Sequence, residues 1–404
     1  MNAAAWRILA GLVLGVAVGA LLGDGTAGRS AGIVAVPVGR LWLDALTMTV
    51  VPLVFSLLVT SVVDAATQAA GNRMVARTLA WCALLLVTAV LLALPVVTGL
   101  LRLWPLPAAA SALAAQASDT ATALPPADDW LANLVPTNPV EAASKAAMVP
   151  LIVFALLFGL ALARVEAGPR DAVRATLRGV ADAMLVLVRW VLLAAPVGVF
   201  ALALGVGQRL GGAAAGVLGH YVAIVVLTCL ASIVLATAVA IVAGRIAPAR
   251  FVRAVLPSQV VALSTQSSLA SLPAMVTAAP RLDVDRIAAG VVLPLAVSLF
   301  RLTSAAANVA VAMYLAQVHG VTPELPALLA GALVAAAVSV AAVGLPAQVS
   351  FFAIVAPVCL AMGVPVGLLP LLLAIETIPD LFRTLGNVTA DLAVLRIVGR
   401  DVAP

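Results

Sequence analysis

Ile375-Glu376-Thr377-Ile378-Pro379-Asp380-Leu381-Phe382-Arg383-Thr384-Leu385-Gly386-Asn387-Val388-Thr389-Ala390-Asp391 carries both the fold class and the chemistry of this chain. Glu376, Asp380, Arg383, Asn387 and Asp391 follow one another at spacings of 4, 3, 4 and 4. At ~100° per residue they fall within an arc of roughly 80° on a helix. An otherwise apolar helix therefore carries one polar stripe. If that helix crosses a bilayer, insertion scales charge about 2.5–3.5 kcal/mol for each central Asp or Arg. Three acids, a base and an amide are more than helix–helix glue requires, so the stripe predicts an interior site.

The rest of the chain agrees with a bilayer setting. Of 404 residues, 64% are apolar and 10% are Asp, Glu, Lys or Arg. Soluble domains run near 45–50% apolar and about 25% charged. So apolar a chain cannot cover its surface with polar groups, which argues against a soluble enzyme or a disordered protein. The apolar runs do not alternate, so a membrane barrel is disfavoured. The net charge of +5 comes with 22 Lys and Arg spread in small groups between apolar runs. That distribution sets membrane orientation and does not point to nucleic acid. Cys82, Cys229 and Cys359 sit far apart inside apolar runs, and only two His are present. Disulfide or His/Cys metal chemistry has little support.

Apolar spans are predicted near 7–23, 40–63, 78–101, 129–164, 177–206, 218–244, 287–318 and 365–396. The first outruns a usual signal core and reads as a transmembrane helix. Pro136, Pro139 and Pro150 break the fourth into short helices. Arg7, the pair Arg73 and Arg77, the group Arg164–Arg178, Arg245–Arg253, Arg281 and Arg286, and Arg396 and Arg400 mark one side. Arg29, Arg40, Arg102 and Arg209 are the sparse positives of the other. This bias predicts eight crossings, both termini in the cytoplasm and a mobile external loop over 102–128. Localisation to a cell inner (plasma) membrane is expected.

Two segments do not read as full spans. Residues 254–280 hold Ser264-Thr265-Gln266-Ser267-Ser268, Ser271 and Pro273, and residues 326–363 hold Gly344-Leu345-Pro346-Ala347-Gln348. Each places two short apolar arms around a polar or Gly/Pro break, and they start from opposite sides. Lipid cannot host open backbone, so such breaks line a protein cavity. Paired interrupted segments of opposite sense predict an inverted-repeat transporter with a midplane site.

The stripe suits a zwitterion with an extra carboxylate. Arg383 offers a planar fork for a carboxylate. Asp380 can pair with an ammonium, and Asn387 and Thr384 can bond a second carboxylate. Asp391, a turn deeper, can hold a hard cation. The Ser-rich break near 264–268, with Ser267 and Ser268, can present backbone N–H groups from a half-helix N-terminus to an anion. Arg301, in Ser298-Leu299-Phe300-Arg301-Leu302-Thr303-Ser304, is a second embedded base that needs an acid. Glu376, Asp380 and Asp391 against Arg301 and Arg383 leave −1 if all are ionised, room for one proton or one cation.

At these residues the chain resembles the dicarboxylate/amino acid:cation symporters, the glutamate transporter homologues. Val51-Pro52-Leu53-Val54-Phe55, Leu134-Val135-Pro136-Thr137-Asn138-Pro139, Pro150-Leu151-Ile152-Val153-Phe154 and Ala195-Pro196-Val197-Gly198-Val199-Phe200 match the family's earlier helices. Thr265 to Pro273 looks like its first re-entrant tip and Gly344-Leu345-Pro346 like its second. Arg383-Thr384 and Asn387-Val388-Thr389 with Asp391 match its last helix. The resemblance covers nearly the whole chain. It implies an all-α polytopic membrane protein with eight transmembrane helices, two re-entrant helical hairpins and inverted repeats, assembled as a homotrimer. One domain over 1–404 is expected, with scaffold helices about 1–128 and 129–217 and a transport core about 78–101 and 218–396. The core would move against the scaffold as an elevator.

By the same resemblance Asp380 takes the substrate ammonium and Arg383 its side-chain carboxylate. Asn387 and Thr384 take the main-chain carboxylate, with Ser267, Ser268, Ser304 and Leu345 closing on the ligand. Asp391 and the Asn387 carbonyl hold sodium. Having both Asp380 and Arg383 favours aspartate or glutamate over a C4-dicarboxylate. The coupling ion is expected to be sodium or a proton, with no other cofactor. One departure stands out: where the family has Asn-Met-Asp-Gly-Thr in its seventh helix, this chain has Phe300-Arg301-Leu302-Thr303-Ser304. The Arg301 guanidinium is therefore expected to replace a bound cation, reducing sodium coupling and opening proton coupling through Glu376 or Asp380. Arg301 could also take Asp380 from the ammonium. A membrane sensor with a degenerate site is the alternative from another class. An enzyme is not expected, since no nucleophile–base pair is evident.

Overall fold

In a bilayer each backbone N–H and C=O must be satisfied inside its own segment, and long apolar runs do this as helices. The computed structural model describes residues 3–23, 25–69, 73–110, 135–341 and 347–400, and every described element is helical. The first part comprises α1 (Ala3–Leu22), α2 (Thr26–Thr47), α3 (Val50–Ala69), α4 (Arg73–Leu103), α5 (Pro139–Ser144), α6 (Met148–Leu162), α7 (Ala167–Leu193) and α8 (Ala195–Leu210). The second comprises α9 (Ala213–Val242), α10 (Pro248–Thr265), α11 (Leu272–Ala278), α12 (Arg286–Leu299), α13 (Leu302–Val318), α14 (Leu325–Ala341), α15 (Ala347–Ala361), α16 (Leu369–Leu373) and α17 (Thr377–Gly399). Four described segments are long and apolar enough to cross a membrane: Thr26–Gln68, Arg73–Leu103, Ala213–Val242 and Arg286–Val318. The pair α7 and α8, bent by 59°, would be a fifth.

Several boundaries differ from the sequence reading. The span expected at 40–63 straddles the turn between α2 and α3, where the Thr49 hydroxyl donates to the Leu46 carbonyl at 2.8 Å. The span expected at 287–318 is two helices, because Phe300 is extended (φ −122°, ψ 112°) and Arg301 (φ −130°, ψ 65°) is also non-helical. The span expected at 365–396 is α16, a turn, and α17. Part of the 129–164 run is described, and there the prolines do divide short helices. Asn138 caps α5 by accepting from the Val140 and Glu141 N–H groups at 3.0 and 3.3 Å, with Pro139 in the first turn. Most of the 102–128 loop lies outside the described residues.

α1 packs closely on α8 through glycines. A Cβ at Gly19 would stand 2.2 Å from the Leu204 carbonyl oxygen, so nothing larger fits at that crossing. Asp64 on α3 pairs with Arg174 (2.7 Å) and Arg178 of α7. α13 is buried all round except at Ser304 and Gln317. A helix without a polar face belongs in the middle of a bundle, and α4, α9, α15 and α17 all pack against it.

α10 and α11 fold back on one another across residues 266–271, and α10 lies against α17. The turn is possible because Gln266 takes the left-handed conformation (φ 53°, ψ 34°). α14 and α15 also pack together, and residues 342–346 between them lie outside the described ones. At its far end α17 is pinned by Arg396, which donates to the carbonyls of Gly244 (2.8 Å) and Leu282 (2.7 Å).

Candidate functional site

The two non-helical residues between α12 and α13 leave the first N–H groups of α13 without helical partners. Arg301 stands at the cap position and makes no side-chain cap bond. Asn387 does this work from α17: its Oδ1 accepts from the N–H groups of Thr303 (3.0 Å) and Ser304 (3.3 Å), and its Nδ2 donates to Ser304 Oγ (2.9 Å). The helices come this close because residue 386 is glycine. A Cβ there would lie 2.1 Å from Thr303 Oγ1. The stripe and the broken helix are thus one unit, built by the side of α17 that the sequence marks as polar.

Arg383 is buried in this unit. Its Nη1 donates to Asn308 Oδ1 (2.6 Å) and to the Ser304 carbonyl (3.2 Å), both on α13. Its Nε lies 2.7 Å from Glu376 Oε1, but neither atom has hydrogen-bond alignment. The other Glu376 oxygen, Oε2, accepts from the Tyr221 hydroxyl of α9 at 2.9 Å. Arg383 Nη2 is buried with no partner. An ion pair out of water holds only where such further bonds complete it. The free Nη2 is a charged donor still lacking an acceptor.

Asp380, one turn before Arg383, is partly exposed and makes no ion pair within 4 Å among the described residues. Arg383 and Arg301 both lie within its electrostatic reach. Thr384 is turned on its own helix, donating to the Asp380 carbonyl at 2.9 Å. Asp391 is fully buried, and neither carboxylate oxygen has a hydrogen-bond partner. Arg301 lies within electrostatic reach of Asp391, and its buried Nε is likewise unpartnered. An unpartnered buried carboxylate suits one positive charge, whether a hard cation or a guanidinium.

The first hairpin turn is bonded within itself. Ser267 Oγ accepts from the Ala270 N–H (3.2 Å), its carbonyl accepts from the Ser271 hydroxyl (3.0 Å), and Ser268 is buried. Among the described residues no hydrogen bond joins this turn to the stripe. α10 reaches α17 a few turns away, where Gln259 Nε2 donates to Thr389 Oγ1 at 2.9 Å. Leu345 lies outside the described residues. Structure thus brings Glu376, Arg383, Asn387 and Ser304 into direct contact, with Thr384 on the Asp380 carbonyl. Arg301 and Asp391 are near by charge alone.

Two participants escaped the sequence reading, Asn308 and Tyr221. Asn308 had a usable signal: it is a lone amide in Ala305-Ala306-Ala307-Asn308-Val309-Ala310, and a polar side chain in such a run is expensive without a task. Tyr221 had none, since a tyrosine in an apolar helix is ordinary.

Comparison with known proteins covers nearly the whole chain. A family model described as the sodium:dicarboxylate symporter family matches residues 4–400. A proton/sodium-glutamate symport protein of Bacillus caldotenax is 25% identical over 394 residues, 95% of this chain and 91% of that protein. A proton/glutamate-aspartate symporter of Escherichia coli is 28% identical over 211 residues, 49% of this chain and 47% of that protein. A C4-dicarboxylate transport protein of Solibacter usitatus is 33% identical over 274 residues, 64% of this chain and 60% of that protein. The match to the Escherichia coli protein spans about half of that protein's length.

Proposed function

Since the chain belongs to the sodium:dicarboxylate symporter family, we propose that it is a secondary active symporter that moves an acidic amino acid such as aspartate or glutamate across the inner membrane. One observation carries this reading. The buried Arg383 keeps one donor nitrogen free, three residues after an unpaired, partly exposed Asp380. A guanidinium and a carboxylate on adjacent turns complement the side-chain carboxylate and the ammonium of one zwitterion. Relatives named for proton/sodium-glutamate and glutamate-aspartate symport support it.

Within this reading α13, α17 and the two hairpins belong to a mobile core, α1–α3 and α7–α8 to a scaffold, and alternating access is of the elevator type in a homotrimer. Both termini face the cytoplasm. Asp391 binds the coupling cation or its replacement. With Arg301 supplying fixed positive charge beside it, sodium coupling is reduced or replaced by coupling to protons.

A C4-dicarboxylate is the second reading. It is favoured by the reach of Arg301 to Asp380, which offsets the charge an ammonium would need, and by the relative named for C4-dicarboxylate transport. The test is uptake of labelled L-aspartate into proteoliposomes under a sodium gradient, a proton gradient and neither, repeated with succinate. Aspartate uptake driven by protons, or gradient-free equilibration, is the expected result. Uptake of succinate alone supports the second reading, and no uptake of either overturns the carboxylate-carrier proposal.

A further inference from the structure

We infer that Glu376 is an internal occupant of the substrate-carboxylate site, lying on Arg383 until substrate replaces it and then held by Tyr221. The inference rests on the carboxylate-carrier reading above and adds a specificity device to it. A carboxylate binds a guanidinium best through two parallel N–H groups, along either the Nη1/Nη2 edge or the Nε/Nη2 edge. Each edge already has one member occupied. Nη1 serves Asn308 and the Ser304 carbonyl, and Nε faces Glu376. Only Nη2 is free, and it belongs to both edges.

The two blocked edges are not equally closed. Nη1 is fixed by two aligned acceptors on α13, one of them at 2.6 Å. Nε is close to Glu376 Oε1 at 2.7 Å but not aligned with it. Glu376 moreover precedes α17, in the turn that joins it to α16. Its second oxygen is already bonded to a neutral donor, the Tyr221 hydroxyl. Rotation about that bond clears Nε while Glu376 keeps a partner. The Nε/Nη2 edge is thus the one that opens.

Two consequences follow. An arriving ligand must outcompete a tethered carboxylate, so weak single-point anions are rejected and a carboxylate with a second anchor, such as an ammonium on Asp380, is favoured. The empty site also never presents a bare guanidinium to its apolar surroundings, which would be costly. Asn308 and Tyr221 act through Arg383 and Glu376 and are positioning residues.

The test is calorimetric binding of L-aspartate, L-glutamate and succinate to the full-length protein in detergent, for wild type, E376Q, Y221F and the double variant. E376Q keeps an acceptor for Tyr221 but removes the competing charge, so binding should tighten by about tenfold, the size of a hydrogen bond to a charged group. Y221F removes the fallback partner, so binding should weaken several-fold. In the E376Q background the Tyr221 substitution should have little effect, since its action runs through the lost charge. A merely structural role would weaken binding in both single variants. Wild-type binding with E376Q equal or weaker overturns this inference and leaves the carrier reading standing. If E376Q does not fold, the sign of the Y221F effect decides: unchanged or tighter binding overturns it. Absence of binding by every form, wild type included, overturns the carboxylate-site reading and this inference with it.

Discussion

Asn387 caps a helix that lies 84 residues earlier in the chain, its Oδ1 accepting the Thr303 N–H at 3.0 Å. The bond does two jobs, closing the open end of α13 and fixing α17 beside it. Asn387→Ala leaves the Thr303 and Ser304 N–H groups without acceptors in an apolar interior. The expected cost is about 1–3 kcal/mol, read as a fall in thermal unfolding temperature in detergent. Asn387→Asp keeps the acceptor and should retain more stability than the alanine variant. Equal stability of Asn387→Ala and wild type would show that water replaces the cap.

Gly386 meets Thr303 at the tightest crossing in the site. Gly386→Ala puts a methyl 2.1 Å from Thr303 Oγ1, and both helices are held by neighbours on every side. Overpacking of this kind costs roughly 1–3 kcal/mol. Thr303 Oγ1 has no hydrogen-bond partner to lose. The double variant Gly386→Ala, Thr303→Ala should therefore recover part of the lost stability, while Thr303→Ala alone should cost little. A double variant no better than Gly386→Ala would place the damage in the helix backbone.

The polar stripe was legible because its cause is local. Spacings of 4, 3, 4 and 4 put Glu376, Asp380, Arg383, Asn387 and Asp391 on one side of any helix, and the structure keeps Arg383 and Asn387 together on α13. The interruption around Gln266 was legible from its run of hydroxyl residues. The break at Phe300–Arg301 was not. Neither residue breaks a helix by itself, and the N–H groups it exposes are satisfied by Asn387 from far along the chain. Partnerships were hidden for the same reason. Composition shows that Arg383 needs an acid, but Glu376, Asp380, Asn387, Asp391 and Asn308 all compete, and only packing selects Glu376 and Asn308.

Arg396 holds the end of α17 to the ends of two other elements, with Nε on the Gly244 carbonyl and Nη1 on that of Leu282. Arg400 adds a bond to the Ala243 carbonyl at 2.8 Å. Arginine reaches the two carbonyls from two separate nitrogens of one rigid plane, whereas the donors of lysine converge on a single nitrogen, so lysine is not an equivalent here. Arg396→Lys should speed amide hydrogen exchange around 243–246 and 279–284 while leaving the interior of α13 protected. Unchanged exchange in both segments would show that packing alone fixes these ends.

Arg301 and Asp391 test the coupling reading most directly. Asp391 is fully buried with both oxygens unpartnered, and Arg301 is a basic group within its electrostatic reach. Removing that charge with Arg301→Met leaves the carboxylate alone in a low-dielectric interior, where an isolated ion is strongly disfavoured. The site then has to recruit a cation to bind substrate at all. Arg301→Met should therefore raise the sodium dependence of aspartate uptake in proteoliposomes, with uptake at zero sodium falling by about tenfold or more, as expected for an unpaired buried charge. Adding Asp391→Asn to this variant should abolish the new dependence, because the group that needed the cation is gone. Wild type and Arg301→Met with the same sodium dependence would mean that Arg301 does not stand in for an ion, and that its charge serves Asp380 instead.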